Sequence, residues 1–456
     1  MKRNRSTPRA RRPSGAGAPV REAAVDVVTR TLAARSPADA ILSAASSRFS
    51  ERDRRLLAEI VYGTLRWLRR LDHAIEGAAA RPASSIDGDL LTVLRVGAAQ
   101  LLALERIPPH AAVSEAVELA SRRAGRRAAG FVNAVLRRIA EKPSFDAWPV
   151  EIDDPMRRLA VESSHPDELV SRWWRFYGEE RTRAIVAADN APRRLHLLAF
   201  RDHGGPEALR EALAAEGVES DASALSPVGV VTADRRALSS SAYRDGLFYV
   251  QDEASQAAAL VPPPAAGERV LDVAAAPGGK GLAILAAQPT AFVVFADRSL
   301  ARLRRLDENL ARLRRSAPRA VADAAAPPWR PSFDRVVVDA PCSGTGTLRR
   351  HPELRWRFSE PELRRLASES AIWLAGAAAA VAPGGRLLLV TCSIEPEENE
   401  EVVARVLALR SDLARESLVH AELPPSDAGD LEAGRWRVLP GGDHDGFSVQ
   451  VLRRSR

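Results

Sequence analysis

The sequence predicts a chain of several domains: an all-α N-terminal domain, a small α+β middle domain, and a C-terminal α/β domain of Rossmann-like, doubly wound architecture. Three observations predict this fold class. The chain has 456 residues, which is too many for one core at roughly 150 residues per domain. Apolar residues in its first third recur at three- and four-residue spacing, as on one face of a helix. From residue 246 onward, short apolar runs alternate with amphipathic helices, which is typical of a parallel sheet covered on both faces.

The N-terminal part is predicted to be a flexible basic tail over residues 1–19, followed by a helical domain over residues 20–145. No alternating strand pattern interrupts the helical spacing of its apolar residues. The proline-containing stretch Glu141–Pro155 is predicted to be a linker. Helices are predicted around Val25–Leu32 and Leu56–Leu65, and over Leu90–Leu104, Ala112–Ala124 and Phe131–Ile139.

Residues 156–244 mix helical and strand signals and are predicted to form the small α+β domain. A helix that carries Trp173 and Trp174 comes first, and we expect this pair in a core rather than as a platform that stacks bases. Two strands and a second helix are predicted after it, at Leu195–Phe200, Val228–Thr232 and Glu207–Glu216.

The C-terminal domain, residues 246–456, contains four apolar runs that each end in a polar or glycine-rich segment. In doubly wound folds, ligands bind at the carboxyl ends of the strands. We therefore expect the functional residues directly after these runs. The runs are Val270–Leu271, Phe292–Ala296, Val336–Val338 and Leu387–Val390.

Composition excludes several classes of protein. Two cysteines are too few for a disulfide framework or a cysteine-based zinc site, and we expect no metal. The most apolar stretch, Ala371–Ala382, is far shorter than the ~20 residues that span a bilayer, so we expect a cytoplasmic protein without membrane contact. The net charge of +7 is carried almost wholly by arginine and favours a polyanionic partner. Any one arginine cluster is more often a solvated helix face.

The segment Asp272–Lys280 lies between a predicted strand and a helix, and its small residues allow close approach of the backbone to a ligand. It is neither a P-loop nor a G-x-G-x-x-G fingerprint, and it lacks the geometry for a triphosphate. An ordinary strand–helix turn would have a similar sequence, but Lys280 is one of only three lysines in the chain and favours function. The candidate cofactor-binding residues are Ala274, Ala275, Ala276, Pro277, Gly278, Gly279 and Lys280.

Two aspartates follow the ends of further strands. Asp297 ends the second apolar run, where a carboxylate commonly accepts hydrogen bonds from ribose hydroxyls. Asp323 follows a strand predicted at Ala320–Ala322 and is placed to bind an adenine amino group. Each alone could equally be a helix N-cap or a turn residue. Together they suit a nucleoside ligand without phosphates, and S-adenosylmethionine is such a ligand.

Both cysteines of the chain also follow strands. Cys342 lies in Asp339–Thr347 directly after the third apolar run, and Cys392 lies in Thr391–Ser393 directly after the fourth. A single cysteine of this kind is usually a small buried core residue. Two of them, at the ends of strands that should be neighbours, predict a shared cleft. A disulfide between them is an alternative that a reducing cytosol disfavours.

A pair of thiols in such a cleft suits methylation of cytosine at C5. C5 is a poor nucleophile, but a thiolate that adds at C6 makes the ring an enamine, whose C5 can take a methyl group from a sulfonium. A carboxylate near N3 would favour this addition, and Asp339 is the candidate. The C5 proton must then leave to a base or a water, and the second cysteine can assist. The residues alone leave open which cysteine attacks.

These segments resemble the Sun (RsmB-type) family of ribosomal RNA cytosine-5 methyltransferases, and the resemblance covers nearly the whole chain. The N-terminal part is similar to the antitermination factor NusB through Glu59–Trp67, Val113–Val117 and Gly130–Arg137. The C-terminal matches are Ala274–Lys280, Asp339–Gly346, Arg349–Trp356, Thr391–Ser393 and Glu395–Glu400.

The resemblance implies a NusB-like RNA-binding domain, a class I methyltransferase domain, S-adenosylmethionine as cofactor and 16S rRNA as substrate. It implies that Cys392 is the nucleophile and that Cys342 helps product release. One departure from the family pattern is Ala274, where the family usually has cysteine; backbone contacts should survive this change. The resemblance places in the cofactor site the loop from Ala274 to Lys280 together with Asp297, Asp323 and Asp339.

Two other interpretations of the sequence stay open. The same chemistry could act on another rRNA cytosine or on a tRNA, because target choice depends on shape and single-stranded loops. Alternatively, the chain could be an RNA-binding ribosome assembly factor without catalysis, although the intact Cys342, Cys392 and Asp339 argue against it. In every catalytic interpretation the target cytosine is single-stranded or flipped out of its stack. A monomer is expected, since the covalently joined domains already supply binding and catalysis.

Overall fold

In a computed structural model the chain forms two compact units. Unit 1 comprises residues 1–179 and 355–357, and unit 2 comprises residues 180–354 and 358–456. The predicted basic tail lies outside the described residues except for its last two positions. The residues that the structure describes are 18–33, 37–104, 106–420, 423–425 and 431–456.

Unit 1 is helical, and its described residues form no strand. Side chains cap the helices where the sequence offers them: Oδ1 of Asp87 accepts a hydrogen bond from the Leu90 N–H at 3.2 Å. The two helices predicted over 112–124 and 131–139 meet at Gly125, whose φ of 83° favours glycine. The helices are α1 (Ala18–Ala33), α2 (Ala38–Ser46), α3 (Glu51–Arg66), α4 (Leu68–Ala79), α5 (Gly88–Leu102), α6 (Pro109–Glu141), α7 (Pro155–Glu162) and α8 (Asp167–Asn190), whose last turns belong to unit 2.

The stretch predicted as a linker packs against the helical core instead. Phe145 and Trp148 are partly buried against this core, and the Phe145 carbonyl accepts a hydrogen bond from Nη2 of Arg70 at 2.7 Å. Burial of two aromatic rings outweighs the chain flexibility that the prolines suggested. Further along, Trp173 is fully buried, as expected of a core residue, whereas Trp174 is half-buried.

Unit 2 contains a small antiparallel sheet of strand order β2-β3-β1-β4. Leu198 and Phe200, at the end of its strand β1, join the same apolar core as the larger sheet of this unit. The elements of this region are β1 (Leu195–Ala199), α9 (Gly205–Ala215), β2 (Asp221–Ala222), β3 (Gly229–Thr232), α10 (Ser241–Arg244) and β4 (Phe248–Val250).

The larger sheet has the strand order β10-β12-β9-β8-β5-β6-β7, with β11 paired to β12. Its five strands from β9 to β7 are parallel, and the pairs that involve β12 are antiparallel. Its elements are α11 (Glu253–Ala259), β5 (Arg269–Asp272), α12 (Gly279–Ala287), β6 (Phe292–Asp297), α13 (Leu300–Arg312), β7 (Arg319–Val321), β8 (Phe333–Asp339), α14 (Glu360–Ala377), β9 (Val381–Thr391), α15 (Glu400–Leu409), β10 (Leu413–Arg415), β11 (Arg435–Val438) and β12 (Phe447–Arg454).

Alternate residues of the central strands are buried on opposite faces of this sheet. Val337 of β8 packs into one apolar core with residues of α12 and α13, whereas Val336 and Val338 pack into another with residues of α14 and α15. Both faces are therefore covered, which is why the strands appear in the sequence as continuous apolar runs.

The register of the sheet brings the predicted strand ends together. β8 lies between β5 and β9, with Asp272 of β5 opposite Val337 and Asp339 of β8 opposite Val390. Both cysteine segments therefore leave adjacent parallel strands at the same edge. Among the described residues, no helix has the length and apolar character needed to cross a membrane.

Candidate active site

The loop between β5 and α12 is shaped by glycine. Gly278 has a φ of 119°, and a Cβ there would lie 2.8 Å from Cδ1 of Leu306. The chain then enters α12, where the Gly281 N–H donates to Oδ2 of Asp272 at 3.0 Å. The predicted turn of small residues therefore lies against the carboxyl end of β5, as the sequence indicated.

Asp272 is an unusual carboxyl group at this strand end. Burial and the nearby charge of Asp339 raise the pKa of Asp272 to about 7, although Lys280 lowers it. Its Oδ1 atom is buried and has no hydrogen-bond partner among the described residues. Native proteins rarely leave a buried oxygen without a hydrogen bond. A bound ligand that hydrogen-bonds Oδ1 of Asp272 would therefore fit at this strand end.

Lys280 connects the glycine loop to the end of β8. Its side chain is only 5% exposed, and Nζ donates to Oδ2 of Asp339 and to Oγ of Ser255, each at 3.1 Å. Nζ also lies 4.9 Å from the centre of the Phe447 ring. The Asp339 side chain is 38% exposed, so this carboxylate is held by a buried cation and still open to a ligand.

The other two predicted aspartates differ in their surroundings. Asp297 is buried, and its carboxylate accepts hydrogen bonds from the Ser299 N–H at 2.9 Å and the Ala276 N–H at 3.3 Å. It thereby ties the end of β6 to the glycine loop. Asp323 is exposed beyond β7, and its Oδ1 accepts from the Ala325 N–H at 2.9 Å. Both lie at the carboxyl edge of the sheet.

The two cysteines come together, with their Sγ atoms 3.5 Å apart. Each is a free, half-buried thiol. The loops that carry them are joined at Gly346, whose N–H donates to the Cys392 carbonyl at 2.9 Å and whose own carbonyl accepts from the Gly446 N–H at 2.7 Å. The convergence that the sequence predicted is thus present in the structure.

Glu398 links the residues that follow the two cysteines. Its Oε1 accepts from the Ser343 N–H at 2.7 Å, and its Oε2 accepts from the Ser343 hydroxyl at 2.6 Å. Oγ of Ser343 in turn lies 3.4 Å from Oγ of Ser393. Burial raises the pKa of Glu398 to about 7 against these hydrogen bonds.

The charged groups around Cys342 differ from those around Cys392. The hydrogen bond with Cys392, burial, and the negative charges of Cys392 and Glu398 raise the pKa of Cys342 well above its ordinary value. A group of the same sign nearby disfavours ionisation. Cys342 is therefore held as a thiol.

Arg350 is a cation of the site whose charge interacts with Cys392. Burial disfavours its charged form, but Asp252, Asp445 and Cys392 outweigh burial and raise its pKa. Nε of Arg350 lies 2.7 Å from Oδ2 of Asp445, and its Nη2 contacts Asp252, which also lies 3.2 Å from Nδ1 of His196. Two buried carboxylates thus fix the guanidinium in place.

Comparison with known proteins identifies the family of the chain. A model of the 16S rRNA methyltransferase RsmB/F family matches residues 259–453, and a NusB family model matches residues 18–141. The ribosomal RNA small subunit methyltransferase B of Pseudomonas putida is 36% identical over 441 residues, which cover 95% of this chain and 98% of that protein. The chain belongs to the RsmB/F family of 16S rRNA methyltransferases.

Further relatives agree with this membership. A probable ribosomal RNA small subunit methyltransferase B of Bacillus subtilis is 32% identical over 420 residues, 90% of this chain and 92% of that one. The crystal structure of PH0851 superposes with a TM-score of 0.76 at 25% identity and covers 97% of this chain and all of that one. NSun6 from Pyrococcus horikoshii, solved with SFG, shares the fold, with a TM-score of 0.56 at 20% identity over 64% of this chain and 98% of that one.

These findings confirm the family resemblance, the NusB-like and class I methyltransferase folds, and the enzyme class predicted from the sequence. The chain is an S-adenosylmethionine-dependent rRNA methyltransferase. The residues of the RsmB/F domain also fit this cofactor. An unpaired buried acceptor on Asp272 and a half-exposed carboxylate on Asp339 flank a loop of alanines and glycines. Such a site suits a ligand that has hydroxyl and ammonium donors and no phosphate.

The structure adds four residues to the site that the sequence interpretation did not single out: Asp272, Arg350, Glu398 and Asp445. Glu398 stands in an acidic run that is similar to the family pattern, but five glutamates within seven residues read equally well as a solvated surface. The burial of one of them depends on contacts with Ser343, 55 positions away. Arg350 likewise contacts Asp252, which lies 98 positions away in the sequence.

Proposed function

We propose that this methyltransferase transfers a methyl group to C5 of a cytosine in 16S rRNA through a covalent bond between Cys392 and C6 of the base. The observation that carries the proposal is the approach of the two thiols to 3.5 Å at the carboxyl ends of β8 and β9. A half-exposed carboxylate, Asp339, ends the first of these strands. Thiolate addition and carboxylate assistance are the two functions that the chemistry of C5 methylation needs.

The cofactor site of this proposal is the glycine loop with the strand-end aspartates. Asp297 would accept from ribose hydroxyls and Asp323 from the adenine amino group, while Ala274–Lys280 lies along the ligand. Carboxylate oxygens that already accept one hydrogen bond have a second lone pair for this purpose. When bound, S-adenosylmethionine supplies the electrophilic methyl group.

The electrostatics of the pair support Cys392 as the nucleophile. Cys392, burial and Glu398 raise the pKa of Cys342 and hold it as a thiol, whereas the charge of Arg350 interacts favourably with Cys392. The thiolate is the reactive form of cysteine. This argument is independent of the family resemblance, which assigned the same roles.

The covalent step balances as follows. The Cys392 thiolate forms the S–C6 bond, the electron pair of the C5–C6 double bond moves to C4–C5, and N3 takes a proton from water and donates a hydrogen bond to the Asp339 carboxylate. C5 then bonds the methyl carbon as the sulfonium–methyl bond breaks. Loss of the C5 proton to water restores the double bond and expels Cys392 as thiolate, with the Cys342 thiol donating a hydrogen bond to the departing sulfur. N3 returns its proton to water when the adduct collapses.

A methylation assay with base-resolution mapping tests this function. Small-subunit rRNA from cells that lack the gene would be incubated with the protein and labelled S-adenosylmethionine, then analysed by bisulfite sequencing. The expected result is stoichiometric 5-methylcytosine at one 16S position, absent with Cys392→Ala. Label on another base, or on tRNA alone, would contradict the proposal. Absence of label from every RNA would favour an assembly factor.

A further inference from the structure

We propose that Glu398 is a positioning residue that makes the two thiols unequal: its carboxyl group ties the loop of Cys342 to the loop of Cys392 and lies on the Cys342 side of the pair. This inference rests on the proposed function, because it concerns how the same pair of cysteines divides its roles. Glu398 itself touches neither the cofactor loop nor Cys392 through a hydrogen bond in the structure.

The first support is where the Glu398 carboxyl group makes its hydrogen bonds. It accepts from both the N–H and the hydroxyl of Ser343, at 2.7 and 2.6 Å, and Oγ of Ser343 lies 3.4 Å from Oγ of Ser393. Ser343 directly follows Cys342, and Ser393 directly follows Cys392. Glu398 and Ser343 together therefore connect the two loops, one residue beyond each sulfur.

The second support is the rigidity of the turn that carries Glu398. Asn399 donates from Nδ2 to the Ser393 carbonyl at 3.1 Å and to the Glu395 carbonyl at 2.8 Å, and its Oδ1 accepts from the Thr391 hydroxyl at 2.7 Å. Glu398 and Asn399 are both fully buried. The carboxyl group thus sits at a fixed position relative to the exit of β9.

The third support is charge. Glu398 is one of the groups that raise the pKa of Cys342, together with Cys392, while the Gly344 N–H opposes them. The pKa of Glu398 itself is raised to about 7, by burial and by Glu395, so Glu398 is charged throughout the more alkaline range in which Cys342 titrates. A buried anion on the Cys342 side and Arg350 on the Cys392 side polarise the pair.

The direct test measures ionisation of Cys342 without any RNA. In a Cys392→Ala background, alkylation of Cys342 by iodoacetamide is followed against pH by peptide mass spectrometry. Adding Glu398→Gln should lower the midpoint by roughly one pH unit or more, since a nearby like charge is removed. Glu401→Gln is the matched control, because Glu401 lies exposed on the adjoining helix, paired with Arg405. An unchanged midpoint in Glu398→Gln overturns the charge role.

A second variant separates position from charge. Ser343→Ala removes one hydrogen bond to Glu398 but leaves its charge, so the alkylation midpoint should stay within a few tenths of a pH unit. In the protein with both cysteines, kcat for methyl transfer should fall several-fold with little change in KM, and wild-type kcat would overturn the positional role. If Glu398→Gln does not fold, Ser343→Ala still decides the positional role, and wild-type kcat in that variant overturns the proposal.

These outcomes differ from a failure of the proposed function. If Cys392→Ala alone still methylates rRNA, the covalent scheme is wrong whatever Glu398 does. If Cys392→Ala is inactive and Glu398→Gln leaves both the alkylation midpoint and kcat unchanged, only the inference about Glu398 is wrong.

Discussion

Gly346 is the residue at which the loops of the site have the least room. Its backbone lies between the Cys392 carbonyl and Gly446, and a Cβ there would come within 2.2 Å of the Gly446 carbonyl oxygen. The neighbouring atoms are backbone and cannot move without shifting the loop that holds Cys392. Position 346 therefore requires glycine because there is no space for a side chain.

We expect Gly346→Ala to lower the free energy of unfolding by about 1–3 kcal/mol, as overpacking does, and to lower methyl transfer because the Cys392 carbonyl must shift. Chemical denaturation and the methyl-transfer rate measure the two effects. Gly130→Ala is the control, since its Cβ would meet nothing within 4 Å and lies in a helix. A Gly346→Ala protein as stable and active as this control would contradict the geometry.

Lys280 is a buried cation whose loss should affect chemistry more than folding. Lys280→Met removes the partner of Asp339, but that carboxylate is 38% exposed and can be solvated. The free energy of unfolding should therefore fall by less than the ~3–5 kcal/mol typical of breaking a fully buried pair. Methyl transfer should fall at least tenfold, with Lys142→Met, an exposed lysine, as control. Near-normal kcat and KM in Lys280→Met would contradict this role.

The elements that carry the site concentrate acid groups at one edge of the sheet. Asp272 ends β5, Asp297 ends β6 and Asp339 ends β8, because parallel strands direct all their carboxyl ends the same way. Burial of a carboxyl group at this edge makes the stability of the protein depend on pH. A group with a raised pKa in the folded protein binds its proton more tightly than in the unfolded chain, so stability is lost as pH rises toward the folded pKa.

The pKa of Asp272 is raised to about 7, from 3.8 in the unfolded chain. Its contribution to stability should be fully present below pH 4, fall between about pH 4 and 7, and level off above. Asp272→Asn does not titrate, so its melting temperature relative to wild type should rise across this window. Thermal denaturation at several pH values, with Asp153→Asn as an exposed control, measures this difference. A difference that is independent of pH would contradict the raised pKa.

The parallel strands and the strand-end residues were predictable from the sequence because each depends on a few consecutive residues. Val336–Val338 predicted β8, and Cys342 had to follow it. The antiparallel partner β12 was not predicted, because its pairing with β9 joins Ser448 to Thr391, far apart in the chain. Glu398 and Arg350 were missed for the same reason: their burial arises only when distant loops meet.

For the whole molecule, recognition of rRNA should be strongly electrostatic. The chain has a net charge of +7, and basic residues on a protein that binds RNA release counterions from the phosphates. We expect the affinity for small-subunit rRNA to fall linearly on a plot of log K against log salt concentration. Filter binding between low and moderate salt, with the inactive Cys392→Ala protein, measures the slope. A salt-independent affinity would contradict binding through phosphates.

The most direct measurement of the central claim is the identity of the cysteine that bonds to RNA. Cys342→Ala protein would be incubated with unmethylated 16S rRNA and S-adenosylmethionine, denatured, digested and mapped by mass spectrometry. A methylated cytidine attached to the peptide of Cys392, accumulating because release is slowed, is the expected result. Two results would contradict the claim that Cys392 is the nucleophile. One is an RNA adduct on Cys342 in the Cys392→Ala protein, and the other is the absence of an adduct in both variants while the wild-type protein methylates the RNA.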